Sequence, residues 1–261
     1  MSINKRRKQI IDILKLKNIV NIKEMASMLN VSEMTLYRDI KEMEDNLFLS
    51  KRNIIYRNDT SSTELPYYTR MKNNVELKVS IARAAVNYIN NNDTIFLDGS
   101  STIAYLVREL VKKDIYLTAV TISPIISNEL AQKNSINILC PGGLLDKINM
   151  IYNCEIDDFL KTININKAFM SCGALSLEKG FTDLSIAESK IKSKIVEKVP
   201  IINLLVDHSK ISNSFPYTWS SFEKLDRLIC DYETSEVFIN KLKSKKIEVI
   251  ISDSSYQMEV T

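Results

Sequence analysis

Val31-Ser32-Glu33-Met34-Thr35-Leu36-Tyr37-Arg38-Asp39-Ile40, close to a basic N-terminus, has the chemistry of a short amphipathic helix with a cationic outer face. Ser32 is suited to cap it, because a hydroxyl there satisfies one of the backbone N–H groups left open at a helix start. Leu36, Ile40 and Met43 recur at spacings of four and three and form the inward stripe, which leaves Thr35, Tyr37 and Arg38 outside. This third helix is expected to run to about Glu44. Working backwards, Asn30-Val31 makes a tight turn, and with no glycine there Asn30 must supply any left-handed backbone angle. Ile22, Met25, Ala26 and Leu29 mark a second short helix, capped by Asn21 with Glu24 in capping-box position. Ile10, Ile11, Ile13, Leu14 and Leu16 stripe a first helix from about Lys5 to Leu16. Working forwards, Leu47-Phe48-Leu49 and Ile54-Ile55-Tyr56-Arg57 flank a polar tip and read as a two-stranded wing. Two helices joined by a tight turn and followed by a wing spell a winged helix-turn-helix.

That module implies DNA. The third helix is expected to enter the major groove by its N-terminal part. Glu33, Met34, Thr35 and Arg38 are the candidates for base edges, Arg38 for a bidentate bond to guanine. Ser32, Tyr37, Lys41, Arg6 and Arg7 are candidates for backbone phosphates, which position without reading sequence. Lys51 and Arg52, near the tip of the wing, are placed to reach phosphate or the minor groove. Structural roles compete at two positions: packing against the first helix for Tyr37, and pairing with Asp39 or Glu42 for Arg38.

The charge distribution agrees. Residues 1–57 carry twelve Lys/Arg against seven Asp/Glu, whereas residues 58–261 carry twenty-three against twenty-five. A basic module on a slightly acidic body suits a nucleic-acid binder. The whole chain, 261 residues with 45% apolar and 26% charged side chains, is of ordinary globular composition. No apolar run approaches the length needed to cross a bilayer, and the charged start has no signal-peptide pattern, so the expected location is the cytoplasm. Cys140, Cys154, Cys172 and Cys230 are far apart and share a single histidine, His208. They compose no zinc or iron–sulfur site and are expected to be reduced and mostly buried. No cofactor is called for.

Beyond the module, residues 58–75 are polar, with Ser61-Ser62-Thr63 and Pro66, and read as a linker. Residues 76–261 read as an α/β body. A helix over 76–90 precedes the buried strand Thr94-Ile95-Phe96-Leu97, which runs into Asp98-Gly99-Ser100-Ser101-Thr102 and a further helix. Strands are expected near 115–121, 136–140, 167–172, 201–206, 226–230 and 247–251, with helices between most of them. Six or seven such strands argue a mostly parallel, doubly wound sheet.

In such a sheet ligand groups sit beyond the carboxyl ends of the strands. Asp98, Thr121, Gly142/Gly143, Gly173, Asp207 and Lys210 all follow strands and are expected to converge on one rim. Gly99, Ser100, Ser101 and Thr102 at a helix N-terminus suit a phosphate. Lys210, or Lys192 as second candidate, supplies a point charge to it. Asp98, Asp183 and Asp207 are candidates to accept hydroxyl hydrogens from a polyol. The set suits a small phosphorylated, hydroxylated ligand, against the plainer reading of a well-capped strand–helix turn. A sugar-phosphate isomerase would use similar parts, with His208 as base; His208 is equally an ordinary structural or surface histidine.

The chain resembles the DeoR family of bacterial transcriptional regulators along essentially its whole length. The residues that carry the resemblance are 31–40, then 98–102, Pro141-Gly142-Gly143, Gly180-Phe181-Thr182, the helix holding Glu188 to Lys194, and Asp207-His208-Ser209-Lys210. The family usually has two adjacent arginines before the aspartate of the recognition helix; here Tyr37 takes the first place and Arg38 keeps the second. The family's glycine-rich stretch after the wing is replaced by Tyr56-Arg57-Asn58-Asp59. In the sensor loop glycine comes one place early and serines replace threonine. The resemblance implies a sensor domain similar in fold to ribose-phosphate isomerases without their reaction, a phosphorylated sugar or related metabolite as effector, and a dimer or tetramer. It also implies repression of a carbohydrate uptake or catabolism operon, relieved by the effector. The alternatives are an isomerase-like enzyme, a DNA-binding protein with a body that senses nothing, and an interaction module that binds no DNA.

Overall fold

The structure is a computed structural model and describes residues 3–17, 19–43, 47–49, 54–57 and 65–254. The chain divides into two units, residues 1–64 and 65–261.

In the first unit α1 (Ile3–Lys17) leads into β1 (Ile19–Asn21), then α2 (Ile22–Leu29), α3 (Glu33–Lys41), β2 (Leu47–Leu49) and β3 (Ile54–Arg57). Asn21 caps α2 by accepting from the Lys23 N–H at 2.9 Å. Ser32 caps α3 by accepting from the Thr35 N–H at 3.2 Å. Asn30 adopts the left-handed angle required of it, φ 51 and ψ 51. Ile10, Leu14, Ile22, Met25, Leu36 and Ile40 form the core between the three helices. The wing pairs as expected, Phe48 opposite Tyr56. It also takes a third strand that the sequence did not announce: β1 pairs with β3, Val20 opposite Ile55, giving the order β1–β3–β2.

The second unit begins earlier than the predicted boundary. Residues 65–75 are not linker: α4 (Tyr67–Arg70) buries Tyr67, whose N–H donates to the Ile148 carbonyl at 2.8 Å. Then come α5 (Val75–Ala85), β4 (Thr94–Leu97), α6 (Ser101–Leu110), β5 (Leu117–Thr121), α7 (Pro124–Leu130) and β6 (Ile136–Leu139). A hairpin follows, β7 (Leu144–Asp146) with β8 (Ile151–Asn153), then α8 (Asp157–Thr162) and β9 (Lys167–Met170). Two short strands, β10 (Ala174–Ser176) and β11 (Gly180–Asp183), precede α9 (Ile186–Lys198) and β12 (Ile202–Val206). The unit finishes with β13 (Tyr217–Ser220), β14 (Arg227–Cys230), α10 (Glu236–Ser244) and β15 (Glu248–Ile251).

Among the described residues seven strands form one sheet in the order β15–β14–β12–β9–β4–β5–β6, every pair parallel. Parallel strands must be covered on both faces, and alternate residues accordingly serve two cores. Ile95, Leu97, Phe169, Leu205 and Ile229 pack with Ile81 of α5, Leu106 of α6 and Leu130 of α7. Phe96, Ala168, Met170, Leu204 and Leu228 pack on the opposite face with Leu160, Ile191, Ile195 and Leu242. That second face also receives Phe181 and Trp219 from an antiparallel sheet, β10–β11–β13, which was not expected from the sequence. From β4 the chain steps outward to β5 and β6; from β9, on β4's other side, it steps outward to β12, β14 and β15. The strand order therefore reverses between β4 and β9, and a doubly wound sheet opens its ligand crevice beyond the carboxyl ends at such a point.

Candidate functional site

Helix α3 sorts the predicted DNA contacts. Met34 is 77% exposed, and Arg38 and Lys41 also face outward. Glu33 is half-buried, and the Thr35 hydroxyl lies 2.8 Å from the Ser32 hydroxyl within the cap. Tyr37 is half-buried and packs against the helical core, as its structural reading required. Arg6 is a correction. Its guanidinium is buried and forks onto fully buried Asp39, with Nη2 3.0 Å from Oδ1 and Nε on Oδ2, so it ties α1 to α3 and is not presented to phosphate. Arg7, partly exposed, pairs with Glu42. Arg38 has lost both of its suggested partners to these two arginines and makes no ion pair among the described residues. Lys51 and Arg52 lie outside the described residues.

At the carboxyl end of the sheet, Asp98 follows β4 directly at the switch point. It is fully buried: Oδ1 accepts from the Ser100 N–H at 2.9 Å and Oδ2 from the Ser171 N–H at 2.7 Å. It thus pins the loop after β4 to the loop after β9 and is not an open acceptor. Ser100 caps α6, accepting from the Ile103 N–H at 3.2 Å. Ser101 and Thr102 are buried, and their hydroxyls make no hydrogen bond among the described residues. Gly99 is required by packing, since a Cβ there would lie 2.1 Å from Ile151 Cγ2 of β8.

Lys192 is also a correction. It is 1% exposed, with Nζ 2.7 Å from Glu188, 2.8 Å from Asp183 and 3.4 Å from Asp98, and it donates to the Ser171 carbonyl at 2.9 Å. It is enclosed by carboxylates and presents no point charge to a phosphate. Burial works against its charge, but Asp183, Glu188 and Asp98 together hold the ammonium well above its ordinary pKa. Burial likewise opposes the Glu188 carboxylate, and Lys192 and then Arg70 hold it below its ordinary value. Asp183 also accepts from the Gly173 N–H at 2.5 Å, so its carboxylate is occupied on both oxygens.

The other predicted rim residues divide. Thr121 is fully buried, its hydroxyl accepting from the Ser123 N–H at 3.1 Å, and is closed to a ligand. Gly142 and Gly143 adopt φ of 73 and 132 and turn the chain into the β7–β8 hairpin; a Cβ on Gly143 would meet the Asn153 carbonyl at 2.3 Å. They serve that turn. Asp207 is buried after β12 and accepts from the Ser209 N–H at 3.1 Å, from the Ser209 hydroxyl, and from the Asn74 amide at 3.2 Å. Lys210, in the same turn, is half-buried and makes no hydrogen bond or ion pair among the described residues. Its charge acts on the Cys172 thiol after β9, as do Lys192, Asp183 and Asp98. One rim therefore holds a closed network of carboxylates, a half-buried cation without an ion pair among the described residues, and two buried hydroxyls at a helix N-terminus.

Sequence reasoning missed the groups that line this rim from α4 and α5. Arg70 Nη1 donates to the Asn149 side chain at 2.7 Å, and buried Lys78 donates to the Asn73 carbonyl at 2.7 Å and to the Arg70 carbonyl. Burial pushes Lys78 down to about 8. The Glu188–Lys192 pair was readable as an i, i+4 spacing on one helix face. His208 is held by Asp231, its N–H donating to Oδ2 at 2.5 Å and Nδ1 3.1 Å from Oδ1, which gives it a structural role. Cys172 and Cys230 are buried as expected; Cys140 is exposed, contrary to expectation. Among the described residues no group of His, Cys, Asp and Glu is placed to hold a metal, and no helix is long and apolar enough to cross a membrane.

A family model described as the DeoR C-terminal sensor domain matches residues 73–232, and one described as an HTH domain matches residues 6–56. The chain belongs to the DeoR family. Relatives of this DeoR-family chain include the HTH-type transcriptional regulator YulB of Bacillus subtilis, 27% identical over 95% of this chain and 96% of that one. The transcriptional repressor GlcR of the same organism is 26% identical over 94% of each. The L-fucose operon activator of Escherichia coli is 29% identical over 68% of this chain and 72% of its own. A ribose-5-phosphate isomerase in complex with phospho-erythronic acid aligns with 52% of this chain and 54% of its own, at a TM-score of 0.40 and 18% identity, too distant to bear on function. This DeoR-family chain is a transcriptional regulator with a helix-turn-helix and a small-molecule sensor domain, not an enzyme.

Proposed function

We propose that this protein is a cytoplasmic repressor of a carbohydrate uptake or catabolism operon, released from double-stranded operator DNA by a phosphorylated sugar. The observation that carries this reading is the part of the rim outside the carboxylate network: the buried Ser101 and Thr102 hydroxyls at the start of α6, without a hydrogen bond among the described residues, and half-buried Lys210, unpaired among them in the turn after β12. A helix N-terminus and an ammonium favour a dianionic phosphate over a neutral sugar. Repression is favoured by the GlcR relative, while the L-fucose operon activator leaves activation as an outcome of the test. A homo-oligomer, dimer or tetramer, presents paired α3 helices to a repeated operator. Effector binding then changes operator affinity by a coupling energy of about 1–3 kcal/mol.

The test is direct. The protein is titrated onto its own upstream region with and without a panel of hexose and pentose monophosphates and the corresponding free sugars, and each is scored for thermal shift. A phosphorylated member that raises the melting temperature and weakens operator binding supports the proposal. Responses confined to free sugars, or to none of the panel, sink it; a ligand that tightens operator binding would make the protein an activator or co-repressor-dependent.

A further inference from the structure

The segment that enters the sensor domain, residues 65–74, is clasped by two turns and a helix, α6. From the β7–β8 turn, the Ile148 carbonyl accepts from the Tyr67 N–H at 2.8 Å, and the Asn149 side chain accepts from Arg70 at 2.7 Å. From α6, whose first turn carries Ser101 and Thr102, the buried Tyr105 hydroxyl donates to the Met71 carbonyl at 2.8 Å. From the turn that carries Lys210, Asp207 and Ser209 accept from the Asn74 amide at 3.2 and 3.4 Å. Lys78 stiffens the segment from beneath by holding the Arg70 and Asn73 carbonyls. Asn74 itself sits at φ 49, a left-handed angle that fixes where the segment turns into α5.

Each of the two elements offered to the effector thus holds one point of this strap, and residues 58–64 join the strap in sequence to the DNA-binding unit. We infer that residues 65–74 are the transducer of the regulator, converting effector occupancy between α6 and the Lys210 turn into a change of operator affinity through the Tyr105–Met71 and Asn74–Asp207 bonds. A ligand that draws on the Lys210 turn competes with or reorients the Asn74 bond, and one that draws on the α6 N-terminus moves Tyr105. Packed elements with discrete hydrogen-bond partners switch between arrangements instead of deforming smoothly. The inference rests on the proposed effector rim for its ligand, and on the covalent order of the chain for its output.

The test uses the full-length protein and the double variant Tyr105→Phe/Asn74→Gly. Phenylalanine keeps the ring and removes only the hydroxyl; glycine keeps the left-handed angle and removes only the amide. Operator affinity is measured without ligand, with the phosphosugar panel, and with millimolar inorganic phosphate as the minimal probe, and thermal shift reports binding separately. The expected result has two parts. Ligand-free operator affinity moves at least about threefold in the variant. The ligand-induced change, about tenfold in the parent, falls below about threefold while the thermal shift persists. A variant that keeps the parent's operator affinity in every condition overturns the inference. If no probe shifts the parent's melting temperature, the phosphosugar reading fails on its own. The strap is then judged on the ligand-free arm, where an altered operator affinity sustains it and an unchanged one overturns it. A variant that melts far below the parent is replaced by Tyr105→Phe alone, judged by the same criteria.

Discussion

Replacing Lys192 by methionine separates a buried ion network from a presented charge. The ammonium touches Glu188, Asp183 and Asp98 at 2.7–3.4 Å, and all four side chains are 6% exposed or less. Methionine fills similar space and removes the ammonium that the three carboxylates share. Removing one partner of a buried pair costs about 3–5 kcal/mol. Asp98 and Asp183 retain backbone donors from Ser100, Ser171 and Gly173, which argues for the lower end. At about 2–4 °C per kcal/mol for a unit of this size, the sensor-domain melting temperature should fall by roughly 6–12 °C near neutral pH. The pH dependence gives the sharper check. In the parent, the Glu188 carboxylate is held below its ordinary value, so its contribution is present above the ordinary carboxylate range and is lost only as pH falls through the lowered folded value. The Lys192 ammonium is held above its ordinary value, so its contribution is full below that value and is lost only at higher pH. Between pH 5 and 8 the parent cluster should therefore leave stability flat. In the variant, Glu188 loses Lys192, the largest influence holding its carboxylate down against burial, so its pKa rises and the deficit should shrink on going from pH 7.5 to pH 5. Calorimetry of the full chain at both pH values reads this. A deficit under about 2 °C at pH 7.5, or one unchanged at pH 5, would refute the reasoning.

Other expectations follow from the same geometry. Arg38→Ala should weaken binding to the operator by about 1–3 kcal/mol and leave affinity for unrelated DNA nearly unchanged, as competition titrations will show; an equal loss on both would make Arg38 a phosphate contact. Arg6→Gln should lower the melting transition of the DNA-binding unit with no change in the salt dependence of binding, whereas Lys41→Ala should reduce the log–log salt slope by about 1. Lys210→Met should leave the ligand-free melting temperature within about 2 °C of the parent and abolish the thermal shift given by phosphosugars; a retained shift would remove Lys210 from the site. A thiol reagent should modify exposed Cys140 in the native protein and reach Cys172 and Cys230 only after unfolding, since burial holds both thiols above their ordinary range.

The parts of the fold that depend on local chemistry were legible. Ser32, Asn21 and Asn30 announced their caps and turn because capping and the left-handed angle involve only residues two or three apart. The parallel strands showed as apolar runs because both faces are buried. What escaped detection depends on distant partners. Strand β13 pairs with β11 across more than thirty residues, Thr182 opposite Thr218, and a four-residue segment ending Tyr217-Thr218-Trp219-Ser220 has no pattern of its own. The α4 segment looked like linker because it is short and follows Pro66; only the burial of Tyr67 against the hairpin turn makes it part of the sensor. The same limit applies to the site. The positions 98, 183, 192, 207 and 210 were readable as strand ends and a helix face, but which of them are mutually satisfied depends on how loops after β4, β9 and β12 meet.

That satisfaction decides where a ligand can act. Carboxylates were the expected ligand groups, yet Asp98, Asp183 and Asp207 spend their oxygens on the backbone of neighbouring loops, on Lys192 and on Asn74. Their work is to fix the rim, because a carboxylate bonded to N–H groups of two different loops sets the distance between them. The DNA-binding unit uses charge the same way: Arg6 and Arg7 neutralise Asp39 on α3 and Glu42 just after it, leaving Arg38 as an uncompensated cation on the outer face among the described residues. An uncompensated charge held on a rigid element costs little reorganisation when its partner arrives, and that is the condition for reading a base edge or a phosphate rather than merely attracting it. Tyr37, packed against the core where the family usually carries a second arginine, adds rigidity in place of charge. Base discrimination in this regulator should therefore depend on Arg38 and on Met34 beside it more than on the total charge of the helix.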